Sequence, residues 1–406
     1  MVPKLRFKNF EGIWEPKSLK DIACLTSSKR VHLSDYVKEG VPFFRGKEIT
    51  ELKSGIIPSD ILYISPLLFN EFKVKHGTPR AGEILITAVG TLGNIYHINN
   101  IGDFYFKDGN LIWLRELKCN SLFLSFLLTF KKNEILNSAI GSTQKALTMV
   151  ELNKLVFNYP RNDEQVKIAS FLSLLEEKTS LLNKQYDLLC QYKKGIMKEI
   201  FSQKMRFKDD SGKAFPEWKS TILDEVVDLI TNGLALDQND SKNGYPVSRI
   251  ETISERCINM KKVGFVDTDN DISNYKLNYG DMLFSNINSI SHIGKIAYFD
   301  IDDTLYHGMN LLRIVIKNSH CKLFFYYQLT TDTNKKYFES RANQAISQAS
   351  INQTELRKTP VQVPCKEEQT KIANFLSALD DKIVVKKAEL DKLKTWKQGL
   401  LQQMFV

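Results

Sequence analysis

The chain has 406 residues, a formal net charge of +9 and 43% hydrophobic residues, enough length and apolar surface for two or three ordinary domains with sizeable cores. The longest apolar stretch, 122–130, carries Ser125 and Thr129 and is too short to span a bilayer, so no membrane role is expected. The positive excess is spread thinly, so it suits a polyanionic partner and equally a basic soluble protein with none.

In chain order, Leu5-Arg6-Phe7-Lys8 and Trp14 open the sequence, and the stretch FFRGKEI follows with Arg45 and Lys47. Residues 82–87 (GEILIT) read as a turn and then a strand, 94–98 as a short apolar run, and SLFLSFLLTF from Ser121 as an amphipathic helix. Between the first two, 88–94 hold Gly90, Thr91 and Gly93. The full G-x-G-x-x-G fingerprint is absent, so a tight turn is expected there rather than a nucleotide site. Residues 141–147 carry Ser142, Thr143, Gln144 and Lys145, and Pro160 then stops what precedes it. Beyond it Ile168, Leu175, Leu182, Leu189 and Ile196 recur every seven residues, with Phe171 and Tyr192 on the adjoining position. That is a coiled-coil-like seam on a helix about 58 Å long at 1.5 Å per residue. Gly195, and Gly399 further on, lie near the helix ends and mark either a helix end or a tight crossing.

The chain then repeats itself. DEQVKIASFLSLLEEK (163–178) returns as EEQTKIANFLSALDDK (367–382), ten of sixteen positions identical at an offset of 204, and the register holds for 39 residues. Asp187 meets Asp391, Lys193 meets Lys397, Gly195 meets Gly399 and Phe201 meets Phe405. Upstream, Arg45 corresponds to Arg249, Gln144 to Gln348 and Pro160 to Pro364, while the opening returns as Arg206, Phe207 and Trp218. The second seam is Ile372, Leu379, Leu393 and Leu400 with Leu376, Ile383, Leu390 and Met404 beside them, interrupted once by Lys386. One such helix alone would expose its seam, so two in one chain are expected to pack together, antiparallel. The reading is therefore α/β: two similar mixed α/β domains, 1–160 and 205–364, separated by two long antiparallel coiled-coil helices, 161–204 and 365–406, in a pseudo-two-fold internal repeat. Strand order does not follow from the sequence.

In this order, twice over, these motifs resemble the specificity subunit of type I restriction–modification systems across nearly the whole chain. The resemblance rests on the LRF…W openings, the Gly-(Glu/Asp)-(Ile/Met)-Leu turns, the 142–147 and 347–351 stretches and the E-Q-x-K-I-A-x-F-L-S helices. It implies two target-recognition domains, each reading half of a split double-stranded DNA target, and helices that dock two methyltransferase subunits. Restriction/translocase subunits complete such a host-defence assembly. No cofactor is expected in this chain; S-adenosylmethionine, ATP and Mg belong to the partners. The second copy departs from the first at 286–294, which is longer and richer in Asn and Ser than 88–93, so the half-sites are expected to differ.

Candidate DNA contacts follow. Arg45, Lys47 and Arg249 can grip guanine edges or phosphate; the plain alternative is pairing with Glu48 or Glu251. Ser142, Thr143, Gln144 and Lys145, with Asn343, Gln344, Ser347 and Gln348, suit phosphate and adenine edges at a helix start, where the alternative is capping. Thr91 in the first copy and Asn286, Asn288, Ser289 and Ser291 in the second occupy the turn beside the expected DNA-facing groove.

No catalytic or metal residue is expected. The prolines are all isolated, which excludes an Asn/Asp-Pro-Pro-aromatic methyltransferase loop. No Walker motif occurs, and no proline–aspartate then acid–x–lysine cluster is placed as in a restriction nuclease. The histidines form no metal pattern and read as ordinary core or surface residues. The six cysteines show no C-x-x-C spacing and, without a signal peptide, are expected as reduced thiols in a cytoplasm. The rival readings are a catalytic DNA methyltransferase or nuclease chain, and a coiled-coil adaptor that binds only proteins.

Overall fold

The computed structural model describes residues 2–142, 145–255, 257–290, 292–344 and 348–405. It divides into two compact units, Met1–Lys184 with Ala388–Val406, and Gln185–Lys387. Each unit therefore owns the first part of one long helix and the last part of the other.

Both units are built on the same antiparallel sheet. In unit 1 the strand order is Cys24–Thr26, Leu111–Arg115, Ile84–Thr87, Ile95–His97; in unit 2 it is Val227–Asn232, Leu312–Ile316, Met282–Phe284, Ile296–Tyr298. The two middle strands of each sheet are mostly apolar because both faces are covered; Arg313, a buried charge among them, is neutralised by Asp281 at 2.6 Å. Ile84, Ile86, Ile112 and Leu114 face the main core with Phe123 and Leu127, while Leu85, Leu111 and Trp113 face a second core with Phe44, Ile49 and Phe106. Unit 2 repeats the alternation: Met282, Phe284 and Ile314 face Phe324, and Leu283 and Leu311 face Ile253 and Leu305. The amphipathic helices are Ser121–Phe130 and Lys322–Leu329, as their patterns predict. A short ladder joins the two ends of each globular part, Glu15–Ser18 with Val156–Tyr159 and Lys219–Ile222 with Pro360–Val363.

The units differ in their outer layers. Unit 1 adds a four-stranded sheet ordered Tyr36–Val37, Leu62–Ile64, Val41–Phe44, Tyr105–Phe106. Among the described residues, unit 2 has at the corresponding stage the pair Tyr245–Val247 and Gly264–Val266, with single bridges from Asn239 and Tyr306.

The long helices run Asn162–Phe201 and Lys366–Met404. Within unit 1 their segments are antiparallel: Lys397 pairs with Glu176 at 2.6 Å, and Phe405 packs on Trp14 and Phe123, near the start of the first helix. Within unit 2, Lys193 pairs with Asp380 and Lys387 lies over the Tyr186 ring. The two lysine–acid pairs are the same pair of repeat positions, offset by 204. Ile168, Leu175, Ile372 and Leu379 are buried as seam residues should be, but Tyr192 is 53% exposed: it lies on the flank of a two-helix seam, where nothing covers it. Gly195 and Gly399 are helical with no atom within 4 Å of where a Cβ would stand, so they mark neither a helix end nor a close crossing inside this chain.

The repeated E-Q dipeptide fixes each globular part to its helix. Glu164 and Glu368, 1% and 0% exposed, accept two hydrogen bonds each from Arg6 and Arg206 of the opening motifs. Gln165 accepts from the Asn120 amide and donates to the Pro160 carbonyl; Gln369 does the same with Cys321 and Pro364.

Candidate nucleic-acid interface

In each unit three segments meet at the end of the central strand. In unit 1 the turn after Thr87 is closed by Gly93 N donating to the Thr87 carbonyl at 2.9 Å and by the Thr87 hydroxyl donating to the Thr91 carbonyl. Gly90 and Gly93 hold positive φ, the region glycine adopts without strain. The stretch carrying Ser142 and Lys145 is a loop closed by the Ile140 and Ala146 amide–carbonyl pair, at 2.9 and 2.8 Å. Leu147 N then donates to the Ala88 carbonyl at 3.0 Å, docking that loop on the turn. From the other side the helix Gly46–Lys53 approaches, with Thr50 Oγ1 accepting from Asn94 Nδ2 at 2.9 Å. Lys47, Thr91, Ser142 and Lys145 are all exposed on these three segments.

Unit 2 builds the same junction from different side chains. Gly294 N donates to the Ser285 carbonyl at 2.9 Å, and Ile351 N to the Asn286 carbonyl at 2.9 Å. Here the segments form a small sheet: Ile287–Asn288 pairs with Ala349–Ser350, which pairs with Asn343–Gln344. Asn288, Ala349 and Gln344 form one cross-strand row, and Ile287, Ser350 and Asn343 the next. Asn343, Gln344, Gln348 and Ser289 are exposed; Asn286 and Asn288 are half-buried, Asn288 donating to Ser285 Oγ at 3.2 Å. Lys295, which follows the turn glycine as Asn94 does in unit 1, donates to the Ser254 carbonyl at 2.9 Å. The same repeat position thus ties the turn to the neighbouring segment in both units. Asn94 and Lys295 are residues that sequence reasoning passed over, although each directly follows a repeated glycine.

Two expectations change. Ser142 and Lys145, like Asn343, Gln344 and Gln348, do not stand at a helix start. The following helices begin at Met149 and Gln353, capped by Thr148 and Asn352, and the candidate residues lie before them on a loop and a hairpin. The arginines are also engaged within the fold. Arg45 caps its helix, its Nη2 donating to Glu48 Oε1 at 2.6 Å and its amide to Glu48 Oε2 at 2.7 Å. Burial works to raise the Glu48 carboxyl, and the bonds from Arg45 outweigh it, leaving Glu48 below the ordinary carboxylate range. Arg249 pairs not with Glu251 but with Asp240, at 2.6 Å, and with Gln238, at 2.8 Å. It lies so close to Gly264 that a side chain there would collide with it. Thr143, Gln144, Ser291 and Ser347 lie outside the described residues.

The junction offers hydroxyl, amide and ammonium groups on exposed loops held by a rigid sheet. Such groups hydrogen-bond base edges and neutralise phosphates.

The family described as the type I restriction modification DNA specificity domain matches the chain twice, over residues 12–190 and 216–395. A Methanocaldococcus jannaschii protein named as the specificity subunit of a type I restriction enzyme, MjaX, is 36% identical over 214 residues, 52% of this chain. That stretch spans only half of the relative's length. The MjaVIII specificity subunit from the same organism is 25% identical over 302 residues, 70% of this chain and 71% of the relative. Among solved structures, the type I restriction–modification S subunit from M. genitalium shares the fold at a TM-score of 0.65. That match has 17% identity and covers 100% of this chain and 99% of that one.

Proposed function

The chain belongs to the type I restriction–modification DNA specificity family, and from that premise we propose that it is the non-catalytic subunit that reads a bipartite DNA target. Each unit reads one half-site; partner subunits methylate adenine or cut. The observation that carries this is the junction built twice: the same three segments meet in both units, yet present different exposed side chains. A conserved scaffold with divergent reading groups is what two unlike half-sites require. In unit 1, Lys47, Thr91, Ser142 and Lys145 are the candidate contacts, with Thr143 and Gln144 from sequence. In unit 2 they are Asn286, Asn288, Ser289, Asn343, Gln344 and Gln348, with Ser291 and Ser347 from sequence. Arg45 and Arg249 serve instead as the caps that hold the neighbouring segments.

The partners in this reading are two methyltransferase subunits, docked along the long helices, and restriction/translocase subunits. S-adenosylmethionine, ATP and Mg sit on those partners. The cytoplasm suits the chain, whose six cysteines are all free thiols.

The test is to co-express the chain with its methyltransferase partner and map methylated adenines. The expected result is a split motif, of which one half alone changes when residues 205–364 are replaced by the corresponding domain of a relative. An unsplit motif, or one changed in both halves, contradicts the reading.

A further inference from the structure

Below the turn of unit 2 lies a cavity of about 120 Å³, lined by His292, Gly294, Lys295, Thr330 and Lys335. None of its lining residues is a carboxylate. Beside it Gly294, at φ +72°, packs against the helix Asp332–Arg341: a Cβ there would stand 2.7 Å from the Phe338 ring. The turn brings His292 and Lys295, whose ammonium also donates to the Ser254 carbonyl at 2.9 Å, and the helix brings Lys335. Lys335 has Glu339 3.5 Å away along its own helix, a long, half-exposed pair that water screens in part. Ser289, a candidate reading residue, is hydrogen-bonded to the His292 ring at 2.8 Å, so the cavity adjoins the reading junction.

Unit 1 has the corresponding glycine packed against a helix. Gly93, at φ +69°, presses on the helix Lys132–Asn137, with Leu136 3.1 Å and Lys132 Cε 3.6 Å from where a Cβ would stand. Lys132 Nζ donates to Asn94 Oδ1 at 3.2 Å. Lys132 is the first residue of its helix and Lys335 the fourth of its own, so they are not one inherited position. Two different helix positions thus bring a lysine beside the glycine turn of each unit. Charge at that place, rather than the ancestral residue, is what the two copies share.

We propose that the glycine turn of each unit seats one phosphate of the duplex backbone, through Lys335, Lys295 and His292 in unit 2 and Lys132 in unit 1. This rests on the DNA-reading assignment and adds to it the contact that positions the duplex without reading sequence.

The experiment measures binding of the full chain to a labelled mixed-sequence duplex between about 50 and 200 mM salt. Because a phosphate contact is indifferent to sequence, the target need not be known. Lys295→Gln with Lys335→Gln is expected to make the log–log salt slope shallower by about 0.9, so that its affinity deficit shrinks about threefold across that range. Lys132→Gln should do the same in unit 1. Lys335→Gln alone alters a half-exposed side chain outside the apolar core and keeps the test valid if the double variant melts early. Lys213→Gln with Lys219→Gln removes equal charge elsewhere. A change no larger than that control overturns the proposal, as does saturable binding of inorganic phosphate at the turn with duplex affinity untouched by the variants. If the unaltered chain shows no salt-dependent duplex binding, the DNA-reading assignment itself fails.

Discussion

At the scale of single residues, the acid heading each long helix carries the most structure. Glu164 is buried and holds Arg6 through two bonds of 2.7 Å, although the two residues are 158 positions apart. The repeat of Glu and Gln was legible; their work was not, because partners so distant in sequence leave no local pattern. Glu164→Gln leaves the half-buried Arg6 guanidinium with one of its two bonds to a carboxylate and should destabilise unit 1 by about 1–3 kcal/mol. Amide exchange across residues 2–14 would then speed up, and unchanged exchange would show that the pair is dispensable. His307 supplies a pH dependence. It is fully buried, its Nε2 bonded to the Leu311 carbonyl at 2.9 Å; burial first, then the charge of Arg313, pushes its pKa from 6.5 to about 4. Its contribution is intact above pH 6.5 and is lost as the pH falls towards 4, because the unfolded chain takes up the proton first. The loss amounts to about 3 kcal/mol in unit 2. His307→Gln should flatten that limb of a pH–stability curve; an identical limb in the variant would rule the histidine out as its source.

At the scale of elements, the helices were readable and the sheets were not. A seven-residue recurrence over 39 positions has few other solutions, and the amphipathic helices from Ser121 and Lys322 begin where their patterns start. Strand order was hidden because the neighbours of the central strand, such as Leu111–Arg115 beside Ile84–Thr87, meet through long loops. The candidate loops were misplaced for a similar reason: Ser142 can cap a helix, but Thr148 stands closer to the real one and takes that role. Gly195 and Gly399 are helical and face open space, so Gly195→Ala and Gly399→Ala should each stabilise the chain by about 1 kcal/mol, read from denaturant midpoints. A loss of stability instead would place another backbone against them. The Lys193–Asp380 pair joins the helix segments of unit 2, with Asp380 also accepting from the Tyr327 hydroxyl at 2.8 Å. Reversing Lys193 to Glu should cost about 1 kcal/mol, and adding Asp380→Lys should restore it; without that rescue the pair does not act as a register lock.

At the scale of the whole molecule, duplication is the organising fact. Both units carry a sheet of one order, one glycine turn and one docked loop, yet unit 1 has a four-stranded outer sheet where unit 2 has a two-stranded one. Strands of two to four residues leave almost no periodic signal, which is why this divergence of the outer layers was not legible in the sequence. In the proposed reading, the shared scaffold would give both units one way of docking on a duplex, and the different side chains at the two junctions would give unlike half-sites. The most direct test is a hydroxyl-radical footprint of the full chain, with its methyltransferase partner, on the DNA it directs to methylation. Two protected blocks with an open gap between them are predicted, the unit 2 block alone fading in the Asn288→Ala, Gln344→Ala variant. One continuous block, or both blocks fading together, would contradict a molecule with two separate readers.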